Sequence, residues 1–328
     1  MVVPRERLND RWEFVETISR RPVNLVYLAR DVGDGHTVAV KVLQPDFARD
    51  EQAVGRFLRE ASVARRLLHR NLVKVEDHGL TREGRPFLVM EHLQGETLEA
   101  RLVRGKLPLR EAEAVVEQLA EGIGAAHAEG IVHRDLKPAN CYLTVGEAGV
   151  LTVRVLDFGF AKVTDQLGGG DGVRTATNAL LGTPLYMAPE QVRSASEVDP
   201  RADLWSLAVL TYELLTGAAP FGARALPDLF VEILTRPIPP PSGLEPSLPP
   251  SVDAWFGRAL DRSRRRRFQS AAEFSRTFRA ALRGEAPPPA TESPTRVPPL
   301  ARAPRGSWLT LLLGLLALVL TVIAVTLR

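Results

Sequence analysis

The residues of this chain predict an α+β protein with a bilobal fold: a small antiparallel β lobe with one helix, a larger mainly α lobe, and then a single transmembrane helix. Three observations predict it. Apolar residues alternate at period two over the first hundred positions, recur at helical spacing beyond position 108, and run without a charge from Ser307 to Leu327. Composition excludes the alternatives. With 45% hydrophobic and 25% charged residues among 328, the chain is neither wholly disordered, collagenous nor polytopic. The 42 basic and 39 acidic residues leave +3, too little to imply a nucleic-acid partner. A single cysteine, Cys141, excludes a disulfide framework and a multi-cysteine metal cluster, and reads as a small buried hydrophobe.

The alternations predict strands over 12–18, 23–29, 37–43, 73–78 and 86–91, with turns at Gly33-Asp34-Gly35 and Glu83-Gly84. One helix interrupts them over 50–69, its buried stripe formed by Val54, Phe57, Leu58, Ala61, Ala64 and Leu68. The clearest later helices are 110–129, 200–216 with Gly217 as C-cap, and 270–282, where Ser270 and Glu273 make a capping box.

Residues 284–306 hold seven prolines and no apolar period, which predicts a semi-rigid juxtamembrane linker; Thr291, Ser293 and Thr295 read as plain polar linker positions. About 20 apolar residues span the ~30 Å hydrocarbon core as a helix. The segment 307–327 meets that length, with Trp308 at the interface and Arg302, Arg305 and Arg328 as flanking charges. The opening MVVPRERLND has no apolar run, so a C-terminal anchor is expected, with residues 1–306 cytoplasmic and essentially no extracytoplasmic domain.

The chemistry sits in three ordered segments: His133-Arg134-Asp135-Leu136-Lys137-Pro138-Ala139-Asn140, then Asp157-Phe158-Gly159, then GTPLYMAPE from Gly182 to Glu190. Upstream, Ala39-Val40-Lys41 lies on a predicted strand. In this order and spacing the set resembles a serine/threonine protein kinase domain of the bacterial, eukaryotic-like receptor type, covering residues 10–283 with an N-lobe over 10–93 and a C-lobe over 94–283. The resemblance implies ATP and Mg²⁺ as cofactors. It makes Asp135 the acceptor or orienter of the substrate hydroxyl, Lys137 a contact to the transferred phosphate, and Thr183 a contact to both. Asn140 and Asp157 offer the hard oxygens Mg²⁺ prefers, and Lys41, fixed by Glu60, holds the α- and β-phosphates. Ser19, Val26, Ala39, gatekeeper Met90 and hinge residues Glu91 to Leu93 complete the nucleotide site. Only five lysines stand against 37 arginines, so lysines at two motif positions are informative.

Further expectations follow from the resemblance. His133 supports the catalytic loop from within, and Arg134 pairs with a phosphate on the activation segment. Autophosphorylation of that segment is expected at its T-x-T pair, on Thr175 or Thr177. Asp203 and Trp205 belong to a helix anchoring the catalytic loop, and Arg267 pairs with Glu190 in a buried bridge. Arg264, Arg265 and Arg266 read as a solvated face. The implied partners are protein Ser/Thr substrates and a homodimer for trans-autophosphorylation, in a bacterial signalling role at the cell membrane.

One motif is broken. The glycine-rich loop, G-x-G-x-x-G-x-V, aligns with Ser19-Arg20-Arg21-Pro22-Val23-Asn24-Leu25-Val26, and all three glycines are gone. Glycine lets backbone N–H groups approach phosphates closely, whereas proline removes a donor. Two readings remain open: Arg20 or Arg21 contacts phosphate directly, or the loop no longer clamps ATP and the chain is a pseudokinase acting as a membrane-tethered scaffold.

Overall fold

Alternation of β-branched and aromatic residues builds the first sheet. The computed structural model describes residues 7–21, 24–49, 51–146, 149, 151–157, 184–193 and 198–288, without the side chains of 47, 51–53, 56 and 60. The strands are β1 (Arg7–Leu8), β2 (Trp12–Arg20), β3 (Asn24–Asp31), β4 (Thr37–Leu43), β5 (Val75–Leu80) and β6 (Pro86–Glu91), all antiparallel in the order β1-β2-β3-β4-β6-β5. Central β4 alternates between two cores. Val38, Val40 and Val42 pack with Trp12, Phe87 and Val89, while Leu43 faces helix α1 (Glu51–Ala64) through Phe57 and Ala61. Strands 37–43 and 86–91 match expectation at both ends; the others shift by up to two residues at each end.

Helix α1 is shorter than its periodicity predicts. The chain tightens after Ala64, with Arg66 N–H donating to Val63 O, and this swings Leu67 inward and leaves Leu68 77% exposed. Leu68 is therefore not part of the buried stripe.

Beyond the sheet come β7 (Gly95–Thr97), α2 (Leu98–Leu102), α3 (Leu109–Ala128), β8 (Cys141–Val145) and β9 (Leu151–Val155). They are followed by α4 (Pro189–Arg193), α5 (Arg201–Thr216), α6 (Leu226–Thr235), α7 (Pro250–Ala259) and α8 (Ala271–Leu282). Strands β7-β8-β9 form a small second sheet. Gly95 is needed where β7 crosses β8: its φ is +150°, and a Cβ there would lie 1.9 Å from Leu143 O.

Helix α5 is apolar on nearly every face, and 13 of its 16 residues are buried, so it is the axis of the helical lobe rather than a surface helix. Gly217, at φ +81°, caps it in the left-handed conformation. Ser270 caps α8 by accepting from Glu273 N–H at 3.1 Å. The reciprocal half of the capping box is displaced: Glu273 accepts from Gln269 N–H and from Arg258, not from Ser270. Cys141 is fully buried in the helical core, and burial pushes its thiol up.

Segment 307–327 lies outside the described residues, and among those described no helix is long and apolar enough to cross a membrane.

Candidate active site

The site is assembled by the chain reversal after α3. Gly130, at φ +74°, turns the chain, and the loop from His133 to Asn140 is then held from below by one carboxylate. Asp203 of α5 is fully buried and accepts from His133 N–H and Arg134 N–H, each at 2.8 Å, and contacts His127 Nε2 at 2.7 Å. Arg134 consequently sits at φ +68°, a strained conformation for a non-glycine residue that these bonds impose. Hydrogen bonds from neutral donors to a charged acceptor contribute about 1.5–3 kcal/mol each, enough to offset that strain. His133 is buried beside them. Its Nε2 meets Leu156 O at 2.8 Å while its Nδ1 accepts from Asp135 N–H at 3.2 Å, which fits the Nε2–H tautomer. Gln191 of α4 closes the loop from the side by donating to Arg134 O at 2.8 Å.

So held, Asp135 meets two of its expected neighbours. Its Oδ2 accepts from Lys137 Nζ at 2.7 Å and from Asn140 Nδ2 at 3.0 Å. The β8–β9 hairpin brings in the second acid. Cys141 pairs with Val155, so Asn140 falls opposite Leu156, whose N–H donates to Asn140 O at 2.8 Å, and Asp157 follows at φ +59°. Lys41 reaches down from β4 and donates to Asp157 Oδ1 at 2.7 Å. Burial pushes the Asp157 carboxyl up, but Lys41, through charge and hydrogen bond, then His133 and Arg21 outweigh it and hold it below the usual carboxylate range.

The donor set suits a hard divalent cation. Asn140 spends its Nδ2 on Asp135 O (2.8 Å) and Oδ2, which turns its amide oxygen away from that acid, and Asp157 has a second oxygen beyond the one engaged by Lys41.

At the other end of the cleft, Ala39, Met90, Val26 and Leu93 form one apolar cluster. Val73 and Leu156 belong to the same cluster and escape sequence reading, because apolar cleft residues carry no motif; the available signal for Leu156 is its position directly before Asp157. His127 also escapes it, though a histidine on the otherwise apolar stripe of α3, beside Ile123 and Ala126, is such a signal. Glu91 directs its N–H to Lys74 O at 3.0 Å, so that donor is taken, and Ser19 stands opposite Val26 at the end of the β2–β3 hairpin. Glu60 lies on α1 with its side chain outside the described residues; Phe158, Gly159, Thr175, Thr177 and Thr183 lie outside them entirely. Glu190 and Arg267 meet as expected, in two bonds of 2.8 Å, with the arginine side chain fully buried.

An apolar cluster with a lysine–aspartate pair near one end and a loop carrying aspartate, lysine and asparagine beside it is the arrangement that nucleotide-dependent phosphotransferases use. A protein kinase domain matches residues 13–239, and the chain belongs to the protein kinase family, among its bacterial serine/threonine members. It is 38% identical over 271 residues to the serine/threonine-protein kinase Pkn1 of Myxococcus xanthus, covering 83% of this chain and 38% of that protein. It is 37% identical over 286 residues to the serine/threonine-protein kinase PknB of Mycobacterium tuberculosis, covering 85% of this chain and 44% of the relative. The chain thus spans less than half the length of the curated relatives it matches. Among solved structures, the kinase domain of Mycobacterium tuberculosis PknI superposes with a TM-score of 0.66 at 28% identity, covering 86% of this chain and 100% of that one.

Proposed function

We propose that this chain is a serine/threonine protein kinase that transfers the γ-phosphate of ATP to protein hydroxyls, autophosphorylates its activation segment, and is held at the cell membrane by residues 307–327. The observation that carries the reading is the joint placement of Asp135, Lys137 and Asn140 within one hydrogen-bonded loop, facing the Lys41–Asp157 pair. Phosphoryl transfer needs little covalent help from protein; it needs alignment and neutralised charge. Asp135 orients the incoming hydroxyl and takes its proton. Lys137, bonded to the same carboxylate, lies where the transferred phosphate passes, and Lys41 fixes the phosphates nearer the adenosine. Asn140 and Asp157 are the residues that would hold Mg²⁺, which would neutralise phosphate charge. Val26, Ala39, Met90, Leu93, Val73 and Leu156, which form one apolar cluster, would take the base.

The scaffold reading keeps one supporting observation, the loss of glycine over residues 19–24. Incubating the full chain with γ-labelled MgATP, beside Lys41→Met, separates the two. A kinase labels serine or threonine in the wild type and loses that label in the variant; equal labelling, or none in either, leaves only the scaffold.

A further inference from the structure

We propose that the guanidinium of Arg21 clamps the β- and γ-phosphates of the bound nucleotide, in place of the backbone N–H groups of the missing glycine-rich loop. The proposal rests on the nucleotide-site reading above and names the residue that completes it.

Strands β2 and β3 stay paired up to Arg21 and Asn24. Ser19 stands opposite Val26 and Arg20 opposite Leu25, and Arg21 N–H donates to Asn24 O at 2.9 Å, so just two residues join the closing pair. Pairing that reaches this far leaves few backbone donors for phosphates. Arg21 has spent its N–H across the strand, and Pro22 has none.

Alternation then decides which of the two arginines faces the cleft. Val26 pairs with Lys41 on β4, and Ser19 opposite Val26 shares that face. Arg21, two residues beyond Ser19, returns to it. Arg20 falls with Leu25 and Val42, and Val42 belongs to the Trp12 core on the far side of the sheet. Arg21 is exposed, so its side-chain donors are available to a ligand. A planar guanidinium engages two phosphate oxygens at once, which a cradle of single N–H groups does by geometry alone. The consequence is a nucleotide site that reads phosphate by charge from a side chain.

The test is binding of MgATP and of adenosine to the full chain in detergent, for wild type, Arg21→Gln, Arg21→Lys and Arg20→Gln. Losing one charge-assisted clamp predicts that Arg21→Gln binds MgATP about tenfold more weakly while adenosine binding stays within about twofold. Arg21→Lys keeps the charge but not the two-oxygen fork and falls between the wild type and Arg21→Gln in MgATP affinity, and Arg20→Gln leaves both ligands unaffected. MgATP affinity unchanged in Arg21→Gln overturns the proposal. So does a parallel loss of adenosine, which marks a damaged pocket. Label transfer on the same samples keeps the two readings apart. A wild type that binds MgATP through Arg21 yet transfers no phosphate removes the kinase and leaves the clamp. An active wild type indifferent to Arg21→Gln does the reverse.

Discussion

Glu213 of α5 accepts the Tyr186 hydroxyl at 2.5 Å, in a half-buried position that no motif marks. Burial pushes its carboxyl up, the Tyr186 bond opposes this, and the charge of Glu99 adds to the rise. A folded pKa above the unfolded one contributes stability that is present below the ordinary carboxylate range and is lost as pH rises through the folded value. Glu213→Gln keeps an acceptor for Tyr186 and removes that loss. The variant is expected to match the wild type near pH 4 and to unfold at a higher temperature than the wild type at about pH 8. Thermal unfolding across pH checks it, and a gap that does not change with pH contradicts it. Residues of this kind were illegible in the sequence because their role comes from what folds against them. Asp135, Lys137, Asn140 and Asp157 were legible because phosphate chemistry demands those side chains at fixed spacing, while Val73, Leu156 and His127 act through burial or a single contact.

Between elements, Arg267 ties several parts of the helical lobe together. It joins Glu190 of α4 to the carbonyls of Asp261 and Arg201 and stacks its guanidinium 4.9 Å from the Trp205 ring, linking α4, α5 and the segment between α7 and α8. Arg267→Ala leaves Glu190 buried and unpaired, which predicts a loss of about 3–5 kcal/mol in denaturant unfolding. A loss under about 1 kcal/mol means that the pair is no more than a surface bridge. The long helices were legible to within a residue or so: 110–129 is observed as Leu109–Ala128, and 200–216 as Arg201–Thr216. Strands β8 and β9 were not, since five residues give too few alternations to stand out among helical segments. The end of α1 is not legible in the sequence because apolar periodicity continues past Ala64 while the helix does not.

Across the full chain, the average composition hides an uneven distribution: the two-lobed unit is built from mixed sequence, and the charge-free run 307–327 stands apart from it. If that run anchors the protein, the full chain sediments with membranes and is released by detergent but not by high salt, whereas a chain ending at residue 288 stays soluble. Recovery of the full chain in the soluble fraction contradicts the anchor and leaves the active site untouched. The proposed chemistry depends above all on the loop that Asp203 holds. Initial phosphotransfer rate and MgATP binding, measured on the same preparations of wild type and Asp135→Asn, probe that loop without disturbing the nucleotide site. General-base residues contribute about 10²–10⁴-fold, so transfer is expected to fall at least 100-fold with nucleotide affinity preserved. A wild type that binds MgATP yet transfers phosphate no faster than Asp135→Asn contradicts it.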